Sequence, residues 1–78
     1  MKLTAEFRKI TKSMTETLMD CHERELMNLE PLEVSSTPHS KGLITRRMLE
    51  VRLHYIKSGK KIYGLFVTKL GRDYLDNI

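Results

Sequence analysis

Few residues in this chain are of a type to do chemistry: three histidines, His22, His39 and His54, and a single cysteine, Cys21. A tetrahedral metal site needs about four Cys, His or carboxylate ligands at short paired spacings. These residues show no such spacing. Cys21 and His22 are adjacent, so on a helix their side chains point apart and no thiolate–imidazole pair forms between them. The four glycines, Gly42, Gly59, Gly64 and Gly71, are too scattered to cradle a phosphate group. The expectation is therefore no catalytic residue, no metal, no cofactor and no enzyme.

What remains is charge. Residues 1–40 carry five Lys/Arg and seven Asp/Glu, a balance of −2. Residues 41–78 carry nine and three, a balance of +6. Such asymmetry points to a polyanion, because Lys and Arg gain affinity by neutralising phosphates and releasing counterions.

The cations must be positioned by a small scaffold. Seventy-eight residues make one domain, which at this size buries about 60–65% of its unfolded surface. No apolar run approaches the roughly 18 residues of a membrane span, and Met1–Glu6 lacks the apolar stretch of a signal peptide. With one cysteine no internal disulfide forms, and a reducing cytoplasmic location is expected.

Leu3, Phe7, Ile10, Met14, Leu18 and Cys21 recur at helical spacing and predict a first helix capped by Thr4. Their stripe is a core face or the seam of a homodimer. From His22 to Leu32 two readings stand: a second helix beginning near Asp20 or Cys21, or the first helix running on to Leu29. Pro31 ends either. Leu32–Val34 alternates like a stub of strand. Thr37 followed by Pro38 predicts an N-cap and first helical residue, with a helix over about 38–48. Gly42 weakens that helix or breaks it after one turn.

From Leu49 to Val67 the period becomes two. A Ser58–Gly59 turn would set Tyr55 opposite Ile62, Leu53 opposite Gly64 and Val51 opposite Phe66. Lys57, Lys60 and Lys61 then surround the tip. Thr68 caps a last short helix, Lys69–Leu75, whose Leu70 and Tyr74 pack on the hairpin.

The run Gly42-Leu43-Ile44-Thr45-Arg46-Arg47-Met48, and later Tyr63-Gly64-Leu65-Phe66-Val67-Thr68-Lys69-Leu70-Gly71-Arg72-Asp73-Tyr74-Leu75, resembles the tail of small bacterial and phage winged helix-turn-helix proteins. There a G-L-[IV]-x-R-[RG] segment precedes the wing, and an L-T-x-x-G-R-x-[YA]-L segment follows it. Val67 stands in place of the usual leucine before Thr68. The resemblance spans residues 41–75. It implies an α+β winged helix-turn-helix fold and a DNA-binding regulator of transcription. In the resembling proteins the Gly-Leu-Ile segment often follows the recognition helix, which would move that helix back towards Ser36–Lys41.

The expected partner is double-stranded DNA, bound with the capped helix in the major groove and the wing on a neighbouring backbone or minor groove. Lys41, Arg46, Arg47, Lys57, Lys60 and Lys61 would meet phosphates. Thr37, His39, Ser40 and Thr45 would approach base edges or phosphates from the helix. A homodimer through the first helix would double the small footprint. The rival reading is a protein-interaction module, such as an inhibitor of a host protein. Its acidic segment Asp20, Glu23, Glu25, Glu30 and Glu33 would face a basic partner.

Overall fold

The computed structural model describes residues 10–78. Helix α1 spans Lys12–Leu26. A single 3₁₀ turn, η1, covers Val34–Ser36, and helix α2 covers Ser40–Thr45. Strands β1 (Leu49–Tyr55) and β2 (Lys61–Val67) form an antiparallel hairpin, and helix α3 (Lys69–Asp76) follows. The result is a small α+β domain. No helix among the described residues is long and apolar enough to cross a membrane.

Helix α1 starts where the Thr11 hydroxyl accepts the Met14 N–H at 3.1 Å, satisfying a donor that has no carbonyl partner in the helix. The helix thus does not extend unbroken from Thr4, since Ile10 and Thr11 are not helical. Thr4, Leu3 and Phe7 lie outside the described residues. At its other end α1 runs through Cys21 without a break, so one helix stands where two were an alternative. It stops at a left-handed Asn28 (φ 56°). There the Leu29 N–H reaches the Arg24 carbonyl (2.8 Å) and the Asn28 N–H the Glu25 carbonyl (3.3 Å). This paired closure satisfies carbonyls the helix leaves open, and asparagine tolerates the left-handed conformation.

The same device ends α2. Arg47 has φ 61°, the Met48 N–H donates to the Leu43 carbonyl and the Arg47 N–H to the Ile44 carbonyl, both at 2.9 Å. Helix α2 is consequently six residues long, about 9 Å, not the eleven expected from Pro38 to Met48. Its start also differs. Thr37 does not cap it: the Thr37 hydroxyl donates backwards to the Glu33 carbonyl at 2.8 Å, and His39 occupies the cap position without a side-chain hydrogen bond. The short polar side chain found a nearer acceptor behind it than any donor ahead.

The hairpin pairs Leu49 with Val67, Val51 with Leu65, Leu53 with Tyr63 and Tyr55 with Lys61. This is one residue away from the register expected of a two-residue Ser58–Gly59 turn. The loop instead has three residues, Lys57, Ser58 and Gly59. Ile56 closes it, donating to the Lys60 carbonyl (3.0 Å) and accepting from the Gly59 N–H (2.8 Å). Gly59 supplies the left-handed residue (φ 88°) that such a loop requires. The slip exchanges the faces of every pair. Leu32 and Glu33 add a stub on the far edge of β2: Glu33 bridges Gly64, and the Leu65 N–H donates to the Leu32 carbonyl at 2.9 Å.

The core lies between the base of the hairpin and the helices. Met14, Leu18 and Cys21 enter it from α1, and Leu43 and Met48 from α2 and its end. Leu49, Leu65 and Val67 come from the strands, and Tyr74 from α3. Leu18 is wholly buried and contributes about 1.5–3 kcal/mol of transfer free energy. The α1 stripe from Met14 to Cys21 is therefore used by the chain's own core and offers no free seam for a second copy. Thr68 caps α3 as expected, accepting the Gly71 N–H at 3.1 Å, and Tyr74 and partly buried Leu70 pack inward.

Candidate nucleic-acid interface

Two groups of cations flank β1. Lys41, Arg46 and Arg47 lie on or just after α2, at the base of the hairpin. Lys57, Lys60 and Lys61 lie on the loop and at the start of β2, at its tip. Seven residues of strand separate the groups, roughly 20 Å. Lys41, Arg47, Lys57, Lys60 and Lys61 are exposed, and none of these side chains forms an ion pair among the described residues. Cations left unpaired on a surface remain available to an external anion.

The other nominated residues fare differently. Arg46 is half-buried, and its Nη1 donates to the Gly42 carbonyl at 3.0 Å, so it also braces its own helix. Thr45 is exposed, with its hydroxyl turned back to the Lys41 carbonyl at 2.9 Å. His39 is exposed beside the start of α2. Thr37 and Ser40 are buried, and the Ser40 hydroxyl donates to the Thr37 carbonyl at 2.8 Å. Neither is presented to a ligand. Thus α2 offers Lys41 and Thr45, one turn apart, with His39 before them.

Of the five remaining described cations, Lys12 is exposed at the start of α1 with no ion pair among the described residues, and the other four are engaged within the fold, Arg72 through the Val67 carbonyl at 3.2 Å. Arg52 lies 4.3 Å above the Phe66 ring and 2.7 Å from Glu50. Arg24 pairs loosely with Asp20 and donates to the Glu30 carbonyl. Lys69 pairs with Asp73.

Two members of the acidic segment, Glu25 and Glu30, are structural. A Glu25 carboxylate oxygen accepts the Val67 N–H at 2.8 Å, capping the open edge of β2. A Glu30 carboxylate oxygen accepts the Lys57 N–H at 3.1 Å, tying the hairpin loop to the segment after α1. These are charge-assisted hydrogen bonds to backbone, stronger than neutral ones. Glu30 also sets one negative charge among three lysines at the tip.

The observed register brings four apolar side chains together on one exposed face. Val51, Leu53, Tyr55 and Tyr63 share a face with Lys61, and all are exposed, Tyr63 by 64% and Tyr55 by 59%. The same face is buried at its base by Leu49, Leu65 and Val67. In the shifted register Val51, Leu53 and Tyr55 would have matched Phe66, Gly64 and Ile62, which reads as core. Counting three loop residues instead of two exposes the difference.

The buried Cys21 thiol is pushed up from 9.0 to about 11, chiefly by burial and then by the nearby charges of Asp20 and Glu25. It is a packing residue held in the protonated, unreactive form. Among the described residues no group of His, Cys, Asp or Glu is placed to hold a metal ion. Comparisons with protein-family models, with curated proteins and with solved structures found no match.

Proposed function

We propose that this chain is a double-stranded DNA-binding module of winged-helix type, acting as a small regulator that grips the phosphate backbone with its hairpin. The observation that carries the reading is that five exposed cations without ion-pair partners among the described residues, Lys41, Arg47, Lys57, Lys60 and Lys61, stand at the two ends of β1. Element order supports it: α1, a strand stub bridged to the sheet, a one-turn helix, α2, a hairpin and a closing helix. Relative to a full winged helix, η1 stands where a second helix would lie.

Two cation groups roughly 20 Å apart suit the two backbones that border a major groove roughly 12 Å wide, the long lysine and arginine side chains reaching inward over the difference. Helix α2 is too short to read many bases. With Lys41, Thr45 and His39 as its polar reach, most affinity comes from the backbone, and sequence preference is shallow. Neutralising four to six phosphates gives a slope of log affinity against log salt of about −4 to −5. Fluorescence anisotropy of a labelled duplex, titrated at several salt concentrations, tests this. No binding at about 50 mM salt removes the reading, because that is where the electrostatic term is large.

A second reading is a protein-interaction module. The exposed apolar residues Val51, Leu53, Tyr55 and Tyr63 favour it, since contiguous apolar surface marks contact sites. Glu25 and Glu30 of the acidic segment do not add to it, because they are spent on backbone amides of the hairpin.

A further inference from the structure

We infer that the cleft between η1 and the exposed hairpin face takes an unpaired nucleobase, stacked on Tyr63, with its phosphate towards Lys61. The inference rests on the polyanion reading above and names which nucleic acid the hairpin face prefers: one with bases out of the stack.

The cleft has a volume of about 320 Å³. That is at the low end of the roughly 300–1,000 Å³ of ligand sites, as a single base requires. Its lining is largely apolar, with Val34, Val51, Ile62 and Tyr63. The polar residues Lys61, Glu33 and Ser35 complete the lining. An exposed aromatic ring beside a lysine is the arrangement that holds single strands, the ring stacking a base while the cation meets the backbone. A second ring, Tyr55, lies on the same face, directly opposite Lys61. Both hydroxyls and the Glu33 carboxylate lack hydrogen-bond partners among the described residues, so none is committed to holding the fold.

The charge around the face selects the occupant. Three lysines at the tip sit next to this apolar surface, and a polyanion with flat apolar faces complements both at once. Glu33 adds a preference. A carboxylate accepts from the exocyclic amino group of cytosine, whereas thymine offers it only the ring N3–H, flanked by two carbonyls that repel the charge. The cleft therefore prefers cytosine to thymine.

The test uses the chain's own fluorescence. It has no tryptophan, and of its three tyrosines Tyr74 is buried. A quench on binding thus reports chiefly on Tyr55 and Tyr63, the two rings an oligomer can touch. Oligo-dC, oligo-dT and an abasic oligomer of equal length are titrated into the intact chain. Oligo-dC is expected to quench the emission and to bind about tenfold more tightly than the abasic oligomer, in line with stacking of a base on an aromatic ring. Tyr63→Leu should abolish most of the quench and that tenfold gain, while duplex affinity and its salt slope stay as in the parent. Glu33→Ala should bring oligo-dC and oligo-dT to equal affinity. Equal affinity of oligo-dC and the abasic oligomer, without quenching, overturns the cleft and leaves the polyanion reading standing. Failure of every oligomer and the duplex to bind overturns both. Concentration-dependent self-association that Tyr63→Leu abolishes would instead assign the face to a second copy.

Discussion

The Thr68 hydroxyl donates to the Arg47 carbonyl at 2.6 Å while it accepts the Gly71 N–H. One side chain therefore caps α3 and fastens the left-handed residue that ends α2. The Thr68 N–H completes the junction by donating to the Met48 carbonyl at 3.0 Å. Both ends of the hairpin's base are held at this point, which fixes where the base cations stand. Thr68→Val removes both hydroxyl bonds at nearly constant volume. The expected loss is about 1–2 kcal/mol, read by urea unfolding. An unchanged midpoint would show that the junction is held elsewhere.

Arg47 separates stability from binding. At φ 61° any side chain beyond glycine is strained by about 1 kcal/mol, yet the residue offers an unpaired cation. Arg47→Gly should raise the thermal midpoint by roughly 4–8 °C. It should also flatten the salt slope for duplex binding by about 0.9, the share of one phosphate. Calorimetry and a salt titration on one variant check both, and a fall in the midpoint would contradict the strain.

Much of this junction was legible in the sequence. Thr68 three residues before Gly71 reads as a cap, and the cap is there. The resemblance allows Arg or Gly at position 47, the left-handed site, although arginine itself gives no sign of that conformation. Thr37-Pro38 misled for a local reason: the threonine satisfied the Glu33 carbonyl behind it, and the helix began after His39. The hairpin was legible but its register was not. A two-residue and a three-residue loop both place Gly59 in the turn, and one residue more moves every pair. The tyrosine face was lost with that register.

Gly71 lies where α3 crosses the end of α2. A Cβ there would run into the Met48 carbonyl and press on Val67 Cγ1. Backbone cannot rotate away as a side chain can. Gly71→Ala should cost about 1–3 kcal/mol, against the slight gain expected of alanine in a free helix. Urea unfolding decides the sign.

Raising the pH should loosen the fold through Cys21. The unfolded thiol releases its proton near 9.0, whereas the folded one holds it to about 11. Between these values the unfolded chain binds fewer protons, so stability is full below about pH 9 and falls towards pH 11. Cys21→Ala should flatten that decline. Iodoacetamide at pH 8 should alkylate the native thiol far more slowly than the urea-unfolded one, and equal rates would contradict its burial.

Glu30 tempers the tip. Glu30→Gln keeps an oxygen to accept the Lys57 N–H and removes the negative charge beside the lysines. Duplex affinity at low salt should rise several-fold with the fold intact, and the gain should vanish at high salt as screening takes over. Weaker binding with unchanged stability would place the lysines away from the DNA.

The central claim is that the lysine-tipped hairpin grips phosphates, and the salt dependence of duplex binding by the Lys57→Ala, Lys60→Ala, Lys61→Ala triple variant tests it most directly. The parent is expected to show a slope of about −4 to −5, and the variant one shallower by roughly 2.7, three phosphates' worth of counterions. The loss should be equal on unrelated duplex sequences. A triple variant with the parent's slope and affinity would contradict the account.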